Sequence, residues 1–403
     1  MNRQILSSKT KAPIKIGIVS AYDHSAHGGV RDHVQNLATE LRSRDYTVKI
    51  IAPCSKKDLI DDLDFIPFDR PIIIPSGGNW ARVSVSLWNR RRIEAMLANE
   101  NFDILHFHEP FAGSLTVNTL ALSNSVNIGT FHTYGGHKVY RMGLSWIGNP
   151  YFKRLHGKIA VSEPARQFIS QHYPGEYDII PNGVNVEFYS SALPLEKYKD
   201  DHINLLWVGA LAKRKGLKYL LEAYGTLKWD YPKLRLIVVG AGEPDGDCYR
   251  IMSERNLKDI TFAGSVSDEI KASFYKTADI YCSPATGNES FGIVLIEAMA
   301  AGTPLVATNI EGYSSVITNE RNGLLVPPKN SHEIAKSISR LIEDKKLTKK
   351  LIASGNKDVE QYNWAKVTDK VLKVYKKQLK LNVTKSGKVK STDRPIVWSN
   401  RHL

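Results

Sequence analysis

The feature that most constrains the fold is an alternation of short apolar runs with amphipathic stretches, which occurs twice along the chain. The first series begins with IKIGIVSA at 14–21, a helical pattern at about 30–42, and TVKIIAP at 47–53. The second begins independently with INLLWVGA at 203–210 and LRLIVVGAG at 234–242. Short strands alternating with helices indicate βαβ units, and therefore a parallel sheet with helices on both faces. The sequence predicts two doubly wound α/β domains in tandem.

Chain length agrees with this organisation, because 403 residues exceed what one hydrophobic core usually organises. We expect a flexible N-terminus at 1–13, a first domain at 14–190 and a second domain at 191–362. A helix at 363–380 follows, and the polar, basic and aperiodic remainder at 381–403 is expected to be disordered.

Composition narrows the class of protein. Cys54, Cys248 and Cys282 are widely spaced, which suits a reducing compartment rather than a disulfide framework. Because the basic N-terminus precedes one short strand and no spanning segment, we expect a cytoplasmic protein. The formal charge of +14 indicates either an anionic partner or a solvated lysine-rich helical face. Without zinc-finger spacing, an RNP-type aromatic run or a recognition helix, nucleic acid is not the expected partner.

The stretch NESFGIVLIEAMAAG at 288–302 carries the most chemistry. It follows an apolar strand, and Gly292 leads into a predicted helix that Gly302 ends. The free N–H groups and the dipole at such a helix start favour a diphosphate. Glu289 precedes the helix and Glu297 lies about two turns inside it, so the two carboxylates can contact different parts of one ligand. Two isolated glutamates would be surface residues, whereas this placement predicts a sugar-nucleotide site.

Three other places lie at the carboxyl ends of predicted strands. In WVGALAKRKG, the cations Arg214 and Lys215 could neutralise a departing diphosphate, or form a basic turn in water. Gly28 and Gly29 open the first helix without GxGxxG spacing, so a nicotinamide site is not indicated and a simple tight turn is the alternative. His132 ends a later strand of the first domain, where it could bind a sugar or phosphate or serve only a structural role.

Two acidic patches raise the question of a metal ion, namely Asp61, Asp62 and Asp64, and the Asp-x-Asp pair Asp245 and Asp247. An Asp-x-Asp after a strand can hold a divalent ion against a diphosphate. No third ligand is evident, and the loop cations already supply the neutralisation. We therefore predict that the protein uses no metal.

Taken in order, these motifs resemble glycosyltransferase family 4, of the GT-B fold, and within it the bacterial phosphatidylinositol mannosyltransferases. The resemblance covers roughly 14–379 and is carried by GGV at 28–30, LHFHEPFAGSL at 105–115, GTFHT at 129–133, IIPNGVN at 179–185, KRKG at 213–216 and Glu-x7-Glu at 289–297. It implies two Rossmann-like domains that face an interdomain cleft. It also implies a retaining, metal-independent hexosyltransferase without a cofactor, whose donor is GDP-mannose or another nucleoside-diphosphate hexose and whose acceptor is a lipid or glycan such as phosphatidylinositol.

The resemblance also implies roles for individual residues. His132, Glu289 and Lys215 would be catalytic, with His132 and Glu289 on the donor sugar and Lys215 on the diphosphate. A helix beginning near Trp364 would cross back onto the first domain. Further donor contacts would come from Gly29, Arg214, the backbone of Phe291, Gly292, Ile293 and Val294, and Glu297 on the ribose; acceptor contacts would come from Arg82, Arg31, Thr133 and Lys138.

One departure from the family pattern leaves alternatives open. The family's phosphate loop usually has an arginine after its glycine, whereas here Ala210 follows Gly209. Loss of one charge-assisted phosphate contact could cost about 1.5 to 3 kcal/mol. A weak or silent nucleotide-sugar-binding protein, and a sugar-nucleotide epimerase of the same fold, are therefore the alternatives to an active transferase.

The stretch GGNWARVSVSLWNRRR at 77–92 mixes bulky apolar residues with arginines. Such a mixture is typical of contact with an anionic membrane, although an ordinary surface helix explains it as well. The basic, aromatic loop at 138–154 has the same character. We therefore expect peripheral contact with the inner face of the plasma membrane.

Overall fold

The computed structural model describes residues 13–26, 28–76, 79–86, 89–135 and 150–386. Its N-terminal half contains the helices α1 (Gly29–Arg42), α2 (Arg90–Glu100), α3 (Ser114–Leu122), α4 (Glu163–His172) and α5 (Val186–Ser191). The strands of this half are β1 (Lys15–Ser20), β2 (Thr47–Pro53), β3 (Phe65–Phe68), β4 (Ile72–Ser76), β5 (Asn79–Val83), β6 (Ile104–His108), β7 (Val126–Phe131), β8 (Gly157–Ala160) and β9 (Asp178–Ile179).

The C-terminal half repeats the alternation. Its strands are β10 (Ile203–Val208), β11 (Leu234–Val239), β12 (Ile260–Gly264), β13 (Ile280–Ser283), β14 (Leu305–Thr308) and β15 (Leu324–Val326). Its helices are α6 (Leu217–Asp230), α7 (Gly246–Glu254), α8 (Asp268–Thr277), α9 (Ile293–Ala301), α10 (Glu311–Ser314), α11 (Ser331–Glu343), α12 (Lys345–Val359) and α13 (Trp364–Ser386).

Each half is built on a parallel sheet. The N-terminal sheet has the order β3-β2-β1-β6-β7-β8-β9, and the C-terminal sheet has the order β12-β11-β10-β13-β14-β15. The strand order reverses between β1 and β6 in one sheet and between β10 and β13 in the other, and ligands of doubly wound sheets bind at such switch points. The predicted pair of doubly wound domains is confirmed, and the two switch points are where a ligand site is expected.

The helices that flank the site differ in how they are buried. In α1, the buried positions His33, Val34, Leu37, Ala38 and Leu41 recur at helical spacing and cover one face of the sheet. In contrast, every residue of α9 from Leu295 to Ala301 is buried, so this helix is a core element of the C-terminal half. The helix predicted after Gly292 is confirmed, and its half-buried first residues, Ile293 and Val294, precede this buried part.

The last helix returns to the N-terminal half. Trp364, Val371 and Tyr375 of α13 share a hydrophobic core with Ile16 and Ile128 of the N-terminal sheet. The helix continues to Ser386, beyond the end expected at position 380, because its lysine-rich sequence favours helix and contains no glycine or proline before Gly387. The rest of the predicted tail, 387–403, and the N-terminal residues 1–12 lie outside the described part of the chain.

A small antiparallel hairpin, β4 and β5, was not predicted. Asn79–Val83 forms a strand that pairs with Ile72–Ser76, and helix α2 begins only at Arg90. The surface helix that was the alternative explanation of this stretch therefore does not include Asn79–Val83. The physical reason is that Val83 is buried and bridges Tyr22, which anchors the strand to the end of β1.

Candidate functional site

The C-terminal wall of the site begins with the KRKG turn after β10. Lys213–Lys215 forms one turn of 3-10 helix, which Gly216 ends with a φ of 72°. A Cβ atom at Gly216 would lie 1.9 Å from the carbonyl oxygen of Pro284, so only glycine lets this turn approach the end of β13. The backbone N–H of Thr286 also donates to the carbonyl of Arg214 at 2.7 Å. The two loops at the switch point are thereby joined.

This junction brings two cations onto Glu289. Lys215 Nζ lies 2.6 Å from Glu289 Oε1, and Arg214 Nη1 pairs with the same oxygen. The Glu289 side chain is only 12% exposed. Burial alone would raise the pKa of the Glu289 carboxyl, but Lys215 and Arg214 hold that pKa below its ordinary value. Glu289 is therefore ionised at neutral pH, and the cluster keeps a net positive charge.

The start of α9 lies directly beyond Glu289. Gly292, with a φ of 97°, is its N-cap, and no described side chain caps the helix. Phe291 is buried, and a Cβ at Gly312 would lie 2.0 Å from the carbonyl oxygen of Glu289, which shows how closely this loop packs on α10. The N–H groups of Ile293 and Val294 therefore lie at a helix start without a side-chain cap, which is the kind of helix terminus that can bind an anion.

Glu297 has a different environment. Its Oε1 accepts hydrogen bonds from Tyr189 Oη at 2.7 Å and Lys271 Nζ at 3.0 Å, and its Oε2 accepts from Tyr275 Oη at 3.0 Å. Burial would lower the pKa of Lys271, but Glu297, Tyr189 and Asp268 raise it well above its ordinary value. Because a carboxylate oxygen can accept more than one hydrogen bond, these partners leave acceptor capacity for a sugar hydroxyl.

A cavity of about 230 Å³ separates the two halves. Gly29, Asp32 and His33 of α1 line one side of it, while Lys271 and Glu297 line the other. At the mouth, a Cβ on Gly29 would lie 3.2 Å from Ile293 Cδ1, so the starts of α1 and α9 face each other at close range. Gly29 and Glu297 were predicted from the sequence, whereas Asp32, His33 and Lys271 were missed. The signal available for the missed residues was their position in helices that begin at the carboxyl edge of a sheet.

The N-terminal wall contains a cluster of buried histidines. His108 Nδ1 lies 3.0 Å from His132 Nε2, and His33 Nδ1 lies 2.9 Å from Asn182 Oδ1. Burial lowers the pKa of His33 to about 4, although the bond to Asn182 opposes this shift. Burial, followed by the neighbouring histidines, also lowers the pKa of His108 and His132 well below the ordinary value. These imidazoles are therefore neutral at physiological pH.

A further buried acid, Glu109, is attached to this cluster. Its Oε1 accepts hydrogen bonds from the backbone N–H groups of His132 and Thr133. Glu109 lies within the LHFHEPFAGSL motif but was not predicted to be a site residue. The available signal was a carboxylate directly after a buried strand, at the edge where the ligand was expected.

The predicted acceptor residues are distributed differently. Arg82 lies on β5, is 46% exposed, and has its Nη1 3.7 Å from Asp23 Oδ2. Arg31 pairs with Asp32 at 3.1 Å, and its Nε donates to the carbonyl oxygen of His24. Thr133 is bonded to Glu109 as described above, and Lys138 lies outside the described residues. Thr133 and His132 are therefore held together by their shared partner Glu109, whereas Arg82 lies on the separate β4–β5 hairpin.

Three of the five carboxylates in the two acidic patches have protein partners. Asp62 pairs with Arg42 at 2.9 Å, Asp245 accepts from Cys248 N as the cap of α7, and Asp247 pairs with Lys218 at 3.2 Å. Among the described residues, His33, His108 and His132 are the group with spacing suited to a metal, each offering one nitrogen within 4.8 Å of the others. The absence of a metal requirement stays a prediction.

Two family models match the chain in succession. The model for glycosyltransferase family 4 matches residues 27–188, and the model for group 1 glycosyl transferases matches residues 195–358. The phosphatidyl-myo-inositol mannosyltransferase of Mycobacterium tuberculosis H37Rv is 34% identical over 367 residues, covering 90% of this chain and 96% of the relative. The protein of the same name from Propionibacterium freudenreichii is 27% identical over 401 residues, covering 97% of this chain and 99% of the relative.

Solved structures match the fold over most of the chain. A glycosyltransferase from Rickettsia africae aligns with a TM-score of 0.73 at 22% identity, covering 91% of this chain and 99% of its own. Anabaena HepE, solved in complex with UDP-glucose, aligns with a TM-score of 0.73 at 18% identity, covering 90% of this chain and 100% of its own. In the part of the chain that the structure describes, no helix combines the length and apolarity needed to cross a bilayer.

Proposed function

This chain belongs to the GT-B glycosyltransferases of family 4, and from that premise we propose that it is a retaining hexosyltransferase that uses a nucleoside-diphosphate sugar. Mannose carried by GDP is the favoured donor, and a lipid-linked or glycan acceptor such as phosphatidylinositol is the favoured acceptor. The names of the mycobacterial relatives support this choice of sugar and acceptor. The observation that carries the proposal is the Glu289, Lys215 and Arg214 cluster at the uncapped start of α9.

The charges of this wall suit a donor diphosphate. Lys215 and Arg214 together carry one more positive charge than Glu289 neutralises, and the dipole of α9 adds partial positive charge at the same point. The cations stabilise the negative charge that develops on the departing diphosphate. Glu289 would accept a hydroxyl of the transferred sugar, and Glu297 would accept a ribose hydroxyl.

We propose that transfer occurs with retention of anomeric configuration. The bond between the anomeric carbon and the diphosphate oxygen breaks, and its electron pair leaves with the diphosphate. The acceptor hydroxyl attacks on the same face, and its proton passes to the departing phosphate oxygen. His132 would bind the sugar near the reacting carbon as a neutral imidazole, because burial disfavours its charged form. The fixed cations take the place of a metal ion, so neither metal nor organic cofactor is part of the proposal.

The hairpin supports a membrane-proximal acceptor. Ile72 and Ile73 are 47% and 57% exposed, and Arg82 lies opposite Ile73 in the hairpin register. Arg90 and Arg91 begin the neighbouring helix α2 and are exposed. Apolar side chains with adjacent cations suit the surface of an anionic bilayer. We propose that the protein contacts the cytoplasmic membrane face there and that Arg82 binds the acceptor phosphate.

The test is a transfer assay with GDP-mannose, UDP-glucose and ADP-glucose, using vesicles that contain phosphatidylinositol. We expect one donor to give a glycolipid whose anomeric configuration, read by NMR, equals that of the donor. Loss of transfer in Glu289→Ala, with transfer kept in EDTA, would support the assignment. An inverted product would exclude the retaining mechanism.

Ala210 supplies the one observation in favour of a second function. It is exposed three residues before the Lys213–Lys215 turn, and its methyl side chain offers no hydrogen-bond donor to a phosphate. A silent nucleotide-sugar-binding protein would bind a donor without turnover, and Ala210→Arg would restore transfer. Epimerised donor without use of the acceptor would instead indicate an epimerase.

A further inference from the structure

Glu109 combines two features that each destabilise the folded chain. It has a φ of 53°, in the left-handed region that a side chain with a Cβ rarely adopts. Its residue exposure is only 1%, so a carboxylate has been taken out of water. Local strain of this kind persists where the surrounding structure enforces it, and it clusters at functional sites.

Four hydrogen bonds to Thr130, His132 and Thr133, at the end of β7 and just after it, compensate for these costs. Glu109 Oε1 accepts the backbone N–H of His132 at 2.6 Å, the backbone N–H of Thr133 at 2.7 Å and the Thr133 hydroxyl at 2.8 Å. Its own N–H donates to the carbonyl of Thr130 at 2.9 Å. The carboxylate thus lies against His132 and Thr133, the two residues that follow the end of β7 at Phe131.

The Glu109 side chain continues the hydrogen-bond pattern between β6 and β7 beyond the end of β6. Strand β6 ends at His108, and the chain turns at Pro110, so the Glu109 carbonyl accepts from the backbone N–H of Ala112 at 3.1 Å instead of continuing the ladder. The Glu109 carboxylate replaces that carbonyl with a charged acceptor, which forms shorter and stronger bonds. In addition, burial and then the charge of Glu109 raise the pKa of Tyr22, whose side chain bonds Thr133. Tyr22 therefore stays a neutral donor or acceptor beside Thr133.

The His132 ring is held from a second direction. Its Nε2 lies 3.0 Å from Nδ1 of His108, the residue immediately before Glu109. The adjacent residues His108 and Glu109 therefore contact the His132 ring and its backbone respectively. Both contacts come from the end of β6, where His108 is the last residue of the strand and Glu109 follows it.

We propose that Glu109 is a positioning residue, which holds His132 and Thr133 at the sugar-binding face of the cleft through its carboxylate. This inference rests on the proposed function, since it takes His132 as a contact of the transferred sugar. Glu109 does not itself bind donor or acceptor. Its loss should therefore lower kcat while leaving donor binding, which depends on the C-terminal wall, nearly unchanged.

The test compares Glu109→Gln and Glu109→Gly with the matched control Glu100→Gln. Glu100 lies in the same half, is 18% exposed and accepts from Lys15 at 2.6 Å and Lys49 at 3.0 Å, away from the cleft. The same chemical change at Glu100 should alter stability but leave kcat within about twofold. Glu109→Gln keeps an oxygen acceptor without the charge, and we expect kcat to fall about tenfold to hundredfold with donor Kd within about twofold.

Glu109→Gly separates positioning from backbone strain. Glycine adopts the left-handed conformation without a steric penalty, so this variant should fold while lacking the carboxylate. We expect its kcat to fall below that of Glu109→Gln. If both folded variants keep kcat within about twofold of the wild type, or if donor Kd weakens in proportion to kcat, the positioning role is overturned.

A second measurement does not depend on turnover. In ¹⁵N spectra, the backbone amides of His132 and Thr133 should lie downfield because they donate to a carboxylate, and both should move upfield in Glu109→Gln but not in Glu100→Gln. Unmoved resonances would overturn the proposal. A wild-type protein that transfers no sugar would instead refute the proposed function, while the amide shifts would still decide whether Glu109 positions His132.

Discussion

The two walls of the cleft differ in the side chains that they present, since one holds ion pairs and the other holds a cluster of histidines. The C-terminal wall holds ionised groups at short range, with Lys215 2.6 Å from Glu289 and Lys271 3.0 Å from Glu297. The N-terminal wall holds buried imidazoles whose pKa values are lowered, so that His33 and His132 stay neutral. The excess positive charge of Lys215 and Arg214 suits an anionic diphosphate, whereas the neutral imidazoles of the other wall, which also contains the acids Asp32 and Glu109, suit sugar hydroxyls. In the proposed mechanism, this asymmetry would orient the donor before any chemistry occurs.

Removing the anion of the charged wall should have the largest effect. Glu289→Ala leaves Lys215 and Arg214 without their shared partner and removes the proposed contact to the transferred sugar. We expect kcat to fall about 10²- to 10³-fold, in the range found when one preorganised polar contact is lost. Steady-state kinetics provide the measurement, with the exposed Glu254→Ala as control. A fall below tenfold would mean that Glu289 is only a structural partner of the cations.

Removing one cation should have a smaller effect that depends on salt. Lys215→Ala is expected to weaken donor binding about 10- to 100-fold, since one charge-assisted contact of about 1.5 to 3 kcal/mol is lost. Calorimetric titration with the donor at two ionic strengths measures the change. Lys233→Ala, a solvent-exposed lysine paired with Asp201, is the control and should bind donor normally. Equal donor affinity in both variants would contradict a phosphate role for Lys215.

The buried histidines of the N-terminal wall should make the free energy of unfolding depend on pH. The pKa of His33 is lowered to about 4 in the folded protein, so below its ordinary value of 6.5 the unfolded state binds more protons than the folded state. The contribution of neutral His33 to the free energy of unfolding is therefore complete above pH 6.5 and is lost as the pH falls towards about 4. Integrated over this window, His33 accounts for a decrease on the order of 3 kcal/mol in the free energy of unfolding.

Denaturant unfolding between pH 7 and pH 4 measures this dependence. His33→Gln should flatten the curve, while the exposed His332→Gln should leave its slope unchanged. Identical slopes for the wild type and His33→Gln would show that His33 does not contribute the acid sensitivity.

Metal removal should have the smallest effect. Because fixed cations neutralise the diphosphate in the proposed mechanism, dialysis against EDTA should change the initial rate less than about twofold. Full loss of activity, restored by a divalent ion, would show that the charged wall is incomplete without a metal.

How much of the site could be predicted depends on how local its contacts are. The helix after Gly292, its end at Gly302 and the cations after β10 were predictable, because strand, turn and helix signals lie within a few residues of each other. The partners of Glu297 were not, because Tyr189 and Lys271 come from separate helices. The strand at Asn79–Val83 was also missed, since its pairing with β4 and its anchor at Tyr22 are tertiary contacts.

The sequence by itself determined the two parallel sheets and the strand ends that carry the chemistry, because βαβ periodicity and glycine turns act over short range. Only the tertiary structure decided which residues meet at those ends. Glu109 shows the difference, since its carboxylate reaches His132 and Thr133 only after β6 and β7 have paired and the chain has turned at Pro110. A carboxylate's role depends on its neighbours in space, and those neighbours are set by the packing of distant segments.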